Sequence, residues 1–531
     1  MAFSEESPLL NPPADTEEVA RQPKIENKFD YLIIAAAFLG VFIASADESV
    51  VVSTYSAIAS QFHHLSEGSW LLLAYNFGYC ISLPVYGVIG DVYGRKNVLL
   101  ASYSLFATSC LACGASSSII QLVLSRVLTG ISSAGIVIVV SVILTDLLPT
   151  DDIALYRAYQ NVVNVTGRSL GAPIGGFLAD TIGWRWSFYG QVPIVLLSAV
   201  FTFHRLPSSV NNSRKQHDNV NITSSRHLTL RDLDFSGLIT FSGTILTMLF
   251  LIQALGAQNE DMFFQVSLLS FAFVSGCLLF IAIELFWARK PLIPVHMLFQ
   301  NIGAYWALQV LLLCSRFAFV SSLVPYFIRA ENTSDFVASI WLVVTSIGVL
   351  MGGIISGVVI KHTKRFKSMC LAALLLTLTF YFLIFLQYRH GFRPWEGIYL
   401  LGVGFAQGIL FPSLFVGMTA SAPEGTLSMC ISTYYLSQQL GLIIGPACGA
   451  ALTQKLFTES LWRGLDGIEE KNVIINRILN EVRYANGLPR GIREVVRACY
   501  LRAFQALPVF SIAGTVIMIP ILTMLKEPEL A

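Results

Sequence analysis

The sequence predicts an all-α polytopic membrane protein. Of its 531 residues, 54% are hydrophobic and only 13% are charged, and the mean hydropathy is +0.65. A soluble protein of this size carries about twice that charged fraction. Apolar runs of roughly 20 residues, each long enough to cross the hydrocarbon core, recur along the whole chain. The lipid bilayer is therefore the first partner that the sequence predicts.

Other bulk features exclude several classes of function. A net charge of +1 leaves no concentrated basic surface for a nucleic acid. Most of the nine cysteines, including Cys110 and Cys113, lie in apolar runs, where we expect packing residues and not disulfides or metal ligands. The sequence has neither a G-x-x-x-x-G-K-[ST] phosphate loop nor an H-E-x-x-H motif. We expect no enzyme, no cofactor and no metal.

Fourteen membrane spans are predicted from the apolar runs. They lie near 32–53, 69–89, 98–116, 119–145, 158–180, 186–204, 235–256, 263–286, 301–327, 337–360, 369–387, 395–420, 428–453 and 501–524. Because this count is even, both termini lie on one side of the membrane. The short loops on that side carry more Lys and Arg than those on the other, so we expect both termini to be cytosolic.

The spans group into two blocks of six with an inserted pair between them. The predicted units are a cytosolic tail (1–29), a six-helix bundle (30–204), a cytosolic linker (205–234), two extra spans (235–290) and a second six-helix bundle (291–525). Within the second bundle, the far-side loop 456–500 has apolar residues spaced as in one or two amphipathic helices. Asn332 lies in a far-side loop within an N-x-[ST] sequon and is a predicted glycosylation site.

The N-terminal tail is polar, acidic and without an apolar signal segment, so we expect it to remain in the cytosol. Within it, Glu5, Leu9 and Leu10 form the pattern E-x-x-x-L-L. This pattern resembles the sorting signals that adaptor proteins read on the way to vacuoles and lysosomes. The alternative is a chance match, because the pattern is short.

The loop between spans two and three carries a motif of glycines and charges. Its residues are Gly87, Gly90, Asp91, Gly94, Arg95 and Lys96. Glycines let two helix ends approach closely, and the two cations favour the cytosolic side. The motif resembles the signature loop of the major facilitator superfamily (MFS), which implies the MFS fold. The segment 357–367 repeats it after span ten.

A second repeated motif lies in spans five and thirteen. It contains Gly171, Pro173 and Gly175 in the first half, and Gly445 with Pro446 in the second. The motif resembles the glycine-rich antiporter motif of proton-coupled MFS exporters, although Ala172 precedes Pro173 where that family has Gly-Pro. Close packing of small residues between helices is an alternative explanation.

Several residues narrow the resemblance to the fourteen-span drug:proton antiporters. They are Trp70 and Tyr75 in span two, Arg126 in span four, and Trp184, Arg185 and Trp186 before span six. The aromatic residues are also typical of anchors at the membrane surface. The resemblance implies transport coupled to protons, with Arg126 as an embedded arginine of the coupling machinery.

Span one contains two adjacent acids, Asp47 and Glu48. A charged residue in the middle of a span costs roughly 2.5–3.5 kcal/mol to insert, so it usually faces a cavity and has a function. Adjacent helical residues point about 100° apart, so the two acids face different neighbours. Asp47 matches the span-one aspartate of the subfamily and is the predicted proton-coupling acid. The alternative is a solvated or ion-paired Asp47 near the far end of its span.

Other intramembrane polar residues complete the candidate site. Arg168 in span five needs an anionic partner, and Asp47, Glu48 or a substrate carboxylate would serve. Arg316 in span nine is a further intramembrane charge. Asn76, Gln407 and Tyr434 are candidates for lining a cavity, and polar packing between helices is the alternative for each.

The combined motifs resemble the fungal vacuolar basic amino-acid permeases, over roughly residues 30–525. This resemblance implies H⁺ antiport that moves amino acids, basic and also neutral, from the cytosol into the vacuole. A plasma-membrane multidrug:H⁺ exporter of cationic drugs is the alternative, and siderophore permeases share the fold. A non-transporting nutrient sensor is disfavoured, because the sequence has only short polar tails.

Overall fold

The computed structural model describes residues 31–147, 150–207, 234–256, 262–287, 295–298, 300–363, 365–423, 427–466, 471–525 and 527. These residues form helices joined by short turns, and no β-strand occurs among them. The helices of the first half are α1 (Tyr31–Gln61), α2 (Trp70–Tyr93), α3 (Arg95–Ala115), α4 (Ile119–Leu147), α5 (Thr150–Thr181), α6 (Arg185–Tyr189) and α7 (Gln191–Arg205). The inserted pair is α8 (Phe235–Gly256) and α9 (Met262–Phe286).

The second half continues with ten helices in the described part of the chain. They are α10 (Val295–Leu298), α11 (Asn301–Val320), α12 (Leu323–Glu331), α13 (Asp335–Thr363), α14 (Lys367–Gln387), α15 (Gly397–Ala420), α16 (Leu427–Gly464), α17 (Lys471–Asn480), α18 (Arg490–Phe504) and α19 (Ala506–Met524). The predicted all-α membrane fold is therefore confirmed.

Twelve helical segments in the described residues are long and apolar enough to cross a membrane. Two further helices, α2 with 24 residues and α5 with 32, pack among them in the first half. The prediction of fourteen spans counts these two as well, and the number fourteen stays a prediction. The proposed domain boundaries stay predictions too.

Several helix boundaries differ from the predicted ones. Helix α1 ends at Gln61, whereas the apolar run predicted that the span ends at 53. Helix α16 ends at Gly464, whereas the predicted span ends at 453. Hydrophobicity marks the thickness of the bilayer, whereas helical hydrogen bonding continues into the polar chain beyond it. The predicted ninth span is divided at Ser321 and Ser322 into α11 and α12. Its high average hydrophobicity predicted one span, although the two serines and Pro325 are residues at which helices bend.

The two halves are built alike. In the first half α1 packs along α5 and α2 along α4; in the second half α11 packs along α16 and α13 along α15. Glycines permit the close approaches: a side chain at Gly171 would collide with the carbonyl oxygen of Ala46, and one at Gly445 would meet that of Cys314. This equivalence agrees with the internal repeat read from the sequence.

The inserted pair lies at the edge of the bundle. Helix α8 packs against both α2 and α16 through a shared apolar cluster that includes Phe77, Ile245 and Ile443. The other helix, α9, packs mainly on α8 and exposes large apolar side chains such as Phe263 and Phe271. Such an apolar exposed face is what a helix presents to lipid.

The far face, opposite the Gly94 loop, is covered by the segment after α16. Helices α17 and α18 each turn an apolar stripe inward, burying Ile475, Ile478 and Val496 in the largest core cluster. Amphipathic helices were predicted here from the same spacing. Because this cluster also contains Leu323 and Phe327 of α12, the covering segment is anchored to the second half.

Candidate functional site

Asp47 lies in the middle of α1 and forms an ion pair with Arg126 of α4. The Arg126 Nη1 atom lies 2.5 Å from Asp47 Oδ2, and the two side chains are 1% and 0% exposed. The carboxylate is fully enclosed, so the solvated form of the alternative is wrong. The ion-paired form is what the structure shows, although Asp47 lies in mid-helix and not near the far end. The structure thus brings two of the predicted coupling residues together, and their roles in coupling stay predictions.

Further contacts hold this pair in place. Gln191 of α7 donates its Nε2 hydrogen to Asp47 Oδ1 at 3.2 Å and to the Ser187 carbonyl at 2.7 Å. The Arg126 guanidinium lies over the ring of Tyr75, 4.7 Å from its centroid, and 5.8 Å from that of Phe188. Sequence reasoning missed Gln191. Its only signal is an amide in an apolar run, three residues after the end of the Trp-Arg-Trp-x-Phe segment.

Glu48 faces a different helix from Asp47, as adjacent positions on a helix require. Its Oε2 atom lies 3.0 Å from Arg168 Nη2 of α5. The Arg168 side chain is 35% exposed and that of Glu48 10%, so this second ion pair is the more accessible one. Ser49 also donates its hydroxyl to the backbone carbonyl of Arg168. Among the three predicted partners of Arg168, the structure selects Glu48.

The glycine motif of α5 determines this geometry. A side chain at Gly167 would lie 2.6 Å from the Phe42 carbonyl oxygen, and one at Gly175 would lie 3.0 Å from Val50. The absence of side chains at these positions lets α5 lie directly on α1. Pro173 lies within this continuous helix. The small residues thus bring Arg168 within reach of Glu48.

A small cavity of about 10 Å³ lies beside the two ion pairs, room for on the order of one water molecule. It is lined by residues of both halves: Glu48, Val52, Leu72, Tyr75, Asn76, Arg126, Phe317, Ser321, Leu442 and Pro446. Asn76 and Pro446 are two of the residues singled out in the sequence. A cavity of this size is too small for an amino acid.

Gln407 and Tyr434 lie elsewhere, in polar contacts inside the second half. Gln407 donates to the Tyr381 hydroxyl at 2.9 Å, and Tyr434 donates to Gln309 Oε1 at 2.7 Å. Neither lines the cavity beside Asp47. These contacts match the alternative of polar packing between helices.

The signature loop has a clear structural role at Gly94 and Lys96. Gly94 has φ of +88°, in the region that favours glycine, and it joins α2 directly to α3. Lys96 donates its Nζ hydrogens to the carbonyls of Phe203 and Leu206, at 2.9 and 2.6 Å. The lysine therefore caps the end of α7.

Other residues of the predicted motifs are placed as follows. Gly87, Gly90 and Asp91 lie in α2, and open space surrounds the Gly90 α-carbon on its side-chain face. The side-chain position of Asp91 lies outside what the structure describes, and so do Glu5, Leu9 and Leu10. Asn332 is exposed at the end of α12 in a left-handed conformation, and its Oδ1 accepts a hydrogen bond from Asn486.

On the far face, the two halves are joined by a cluster of charged side chains. Asp335 and Phe336 are the first two residues of α13. Their backbone N–H groups donate hydrogen bonds to the Asp180 carboxylate at the end of α5, at 3.3 and 2.9 Å. Arg483, between α17 and α18, lies 3.3 Å from Asp335 and 3.9 Å from Asp180.

The same covering segment also contacts the end of α1. Glu481 lies 3.1 Å from His63 Nδ1, and the Val482 N–H donates to Ser60 Oγ at 3.1 Å. Below them, Tyr55 donates to the Ser321 carbonyl at 3.0 Å. These contacts and the cluster at Arg483 close the far end of the boundary between the halves.

Two similar helical halves, with paired charges buried where they meet, define a membrane transporter of the alternating-access type. The family comparison agrees, because the model of the Major Facilitator Superfamily matches residues 37–313 and 305–465. The chain belongs to the major facilitator superfamily.

Three similar fungal proteins span most of the chain. One is the vacuolar membrane amino acid uptake transporter fnx2 of Schizosaccharomyces pombe, 28% identical over 87% of this chain and 78% of the relative. The vacuolar basic amino acid transporter 2 of Saccharomyces cerevisiae is 29% identical over 77% of this chain and 86% of the relative. The multidrug resistance protein fnx1 of Schizosaccharomyces pombe is 25% identical over 94% of this chain and 92% of the relative.

Solved structures support the fold. A bacterial homologue of the human lysosomal transporter Spinster, in an inward-facing and occupied conformation, superposes with a TM-score of 0.61. The superposition includes 94% of this chain and 98% of the homologue's chain, at 16% sequence identity. At that identity the likeness extends to the fold alone.

Proposed function

We propose that the protein is a proton-coupled antiporter that moves amino acids, basic ones above all, from the cytosol into the vacuole. Vacuolar amino-acid transporters are among its similar proteins, and each covers more than three quarters of this chain. Their printed names supply the substrate class and the compartment. The residues at the junction of the halves supply the mechanism.

The buried pair of Asp47 and Arg126 is the observation that carries the proposal. A carboxylate fully enclosed in mid-span is costly, and such residues mark proton or substrate pathways. Protonation of Asp47 removes the negative charge that pairs α1 with Arg126 of α4, and deprotonation restores the ion pair. Proton transfer at this one atom would therefore alter how α1 packs, which is what coupling to a conformational change requires.

The more accessible pair of Glu48 and Arg168 supplies the substrate side of the site. Glu48 offers a carboxylate to a cationic side chain or an α-ammonium group. It lines the cavity between the halves, and Arg168 is 35% exposed. Since Asp47 and Glu48 are adjacent on one rigid helix, movement of α1 affects both pairs together. We assign proton transfer to Asp47 and substrate contact to Glu48.

A multidrug:H⁺ exporter is the second candidate function, favoured by the similarity to the multidrug resistance protein fnx1. The N-terminal Glu5, Leu9 and Leu10 would separate the two candidates by location. Replacing Leu9 and Leu10 by Ala should divert a vacuolar protein to the cell surface if an adaptor reads the motif.

The first experiment is ATP-dependent uptake of labelled lysine, then of a neutral amino acid, into vacuole vesicles with and without the protein. We expect uptake that depends on the protein and collapses when a protonophore removes the pH gradient. Uptake that persists without the gradient would contradict antiport. Absence of uptake, together with protein at the cell surface, would favour the drug exporter.

A further inference from the structure

We infer that Arg316 of α11 binds the carboxylate of the transported molecule, and that the second half thereby selects substrates bearing this group. The inference rests on the proposed amino-acid transport and assigns one chemical group of the substrate to one residue. Arg316 lies sixteen positions into the twenty-residue helix α11, within a segment long and apolar enough to span the membrane.

The first argument is the state of the guanidinium. The Arg316 Nε atom is buried and lacks a hydrogen-bond partner among the described residues. In the same part of the chain, no carboxylate lies within ion-pair distance of Arg316, in contrast to Arg126 and Arg168. An intramembrane arginine ordinarily pairs with an anion or faces a water-filled cavity. Among the residues that the structure describes, Arg316 therefore lacks the anionic partner that the other two arginines have.

The second argument is position. Arg316 is only partly buried, although Ser315 beside it is buried, and the next residue, Phe317, lines the cavity beside Glu48. The Arg316 guanidinium lies 5.4 Å from the centroid of the Phe317 ring. Because this ring lines the cavity together with Glu48, the guanidinium lies close to the boundary between the halves. An anion entering there would meet a cation that has no carboxylate partner among the described residues.

The third argument is chemical fit. A guanidinium presents parallel N–H donors whose spacing matches the two oxygens of a carboxylate. Glu48, paired with Arg168, faces the same region and would accept the ammonium group of an amino acid. A zwitterion would then bridge Arg316 of the second half and Glu48 of the first. A cationic drug without a carboxylate would leave Arg316 unpaired.

The test compares lysine with two analogues, lysinamide and cadaverine, which lack the carboxylate. Unlabelled compounds compete against labelled lysine in vacuole vesicles containing the wild type, Arg316→Gln, Arg316→Lys or the control Arg463→Gln. Arg463 is an exposed arginine at the far end of α16. We expect the wild type and the control to prefer lysine over both analogues by roughly 10- to 100-fold, the range for a lost charged hydrogen bond.

The Arg316→Gln variant should lose this preference, with lysine and lysinamide competing within a few-fold of each other, and Arg316→Lys should keep part of it. A variant too impaired for transport is tested as purified full-length protein, by the thermal stabilisation that each compound gives. Equal competition by lysinamide in the wild type, or wild-type preference in Arg316→Gln, would overturn the inference.

The two proposals fail separately. Wild-type vesicles without lysine uptake would refute the proposed function. Purified wild type that is stabilised equally by lysine and lysinamide would refute the role of Arg316 whatever the transport result.

Discussion

Lys96 and Lys367 occupy equivalent positions in the two halves of the protein. Each lies at the start of the third predicted span of its half and caps the last helix of that half. Lys96 donates to the carbonyls of Phe203 and Leu206, and Lys367 donates to those of Thr523 and Leu525, at 2.9 and 2.5 Å. The repeat in the sequence is thus also a repeat of individual contacts.

Because of this equivalence, Lys96→Ala and Lys367→Ala should destabilise the protein by similar amounts. Each change removes a cation and its hydrogen bonds from a helix C-terminus, at a cost of about 1 kcal/mol. Thermal unfolding of the purified protein in detergent measures the effect. Arg365→Ala, at an exposed position on the same face, is the control and should leave the melting temperature within error. A large loss from only one lysine would contradict equivalence.

Asp47→Asn should abolish proton-coupled uptake and also lower stability. Asparagine carries no titrating proton, and the change leaves Arg126 as a buried charge without its anion, at a cost of about 3–5 kcal/mol. Vesicle uptake and thermal unfolding are measured on the same preparations. Wild-type transport by Asp47→Asn would refute the assignment of Asp47.

A double variant separates the two effects of this change. Asp47→Asn combined with Arg126→Gln removes both buried charges, so it should recover much of the stability lost by Asp47→Asn alone. Coupled uptake should stay absent, because the titrating carboxyl is still missing. If stability and transport return together, the pair has only a structural role.

Glu48→Gln should cost less stability than Asp47→Asn. Water can reach Arg168, whose side chain is 35% exposed, whereas Arg126 is only 1% exposed. We expect a cost of about 1 kcal/mol, in the range of an accessible ion pair. The same variant should weaken the apparent affinity for lysine, measured as the concentration that gives half-maximal uptake. Unchanged affinity would place Glu48 outside the substrate site.

Gly171→Ala should destabilise the protein, because the new methyl group would collide with the Ala46 backbone and force α1 away from α5. Overpacking of this kind costs about 1–3 kcal/mol. Gly243→Ala in α8 is the matched control, since no atom lies near its side-chain position. The control should be neutral or slightly stabilising, as alanine favours helix. Thermal unfolding compares them, and equal melting temperatures would refute the tight contact.

Opening of the far face should be required for transport. Cysteines replacing His63 and Glu481, whose side chains are 3.1 Å apart, would be linked by a short reversible thiol crosslinker. We expect the linked protein to lose uptake and to regain it after reduction. Each single cysteine variant, treated in the same way, controls for modification alone. Full uptake by the linked protein would show that this contact does not open.

The sequence singled out Asp47 and Arg126, because charges inside apolar runs are rare enough to be noticed individually. That the two residues form one ion pair is a finding of the structure. The sequence left the partner of Arg168 open among Asp47, Glu48 and a substrate. The choice depends on how α1 and α5 are rotated about their axes. That rotation follows from the contacts of Gly167, Gly171 and Gly175 with α1, which are tertiary contacts without a local signal.

Other features were beyond sequence reasoning for similar reasons. A single amide such as Gln191 in an apolar run produces no periodic pattern. Gln407 and Tyr434 look like cavity residues in the sequence, yet their partners, Tyr381 and Gln309, come from other helices. The far ends of α1 and α16 were underestimated because apolar composition reports only the part of a helix inside the bilayer.

The position of α8 makes the two lateral faces of the protein different. The boundary between the halves reaches the protein surface along two lateral seams, one where α2 meets α16 and one where α5 meets α13. Helix α8 covers the first seam, with Trp70 of α2 donating to Gln253 and Gly256 packed on Ala451 of α16. Among the described residues, the inserted pair leaves the seam between α5 and α13 uncovered. The two lateral seams therefore differ in how they meet the surrounding lipid, although the two halves of the protein are nearly symmetric.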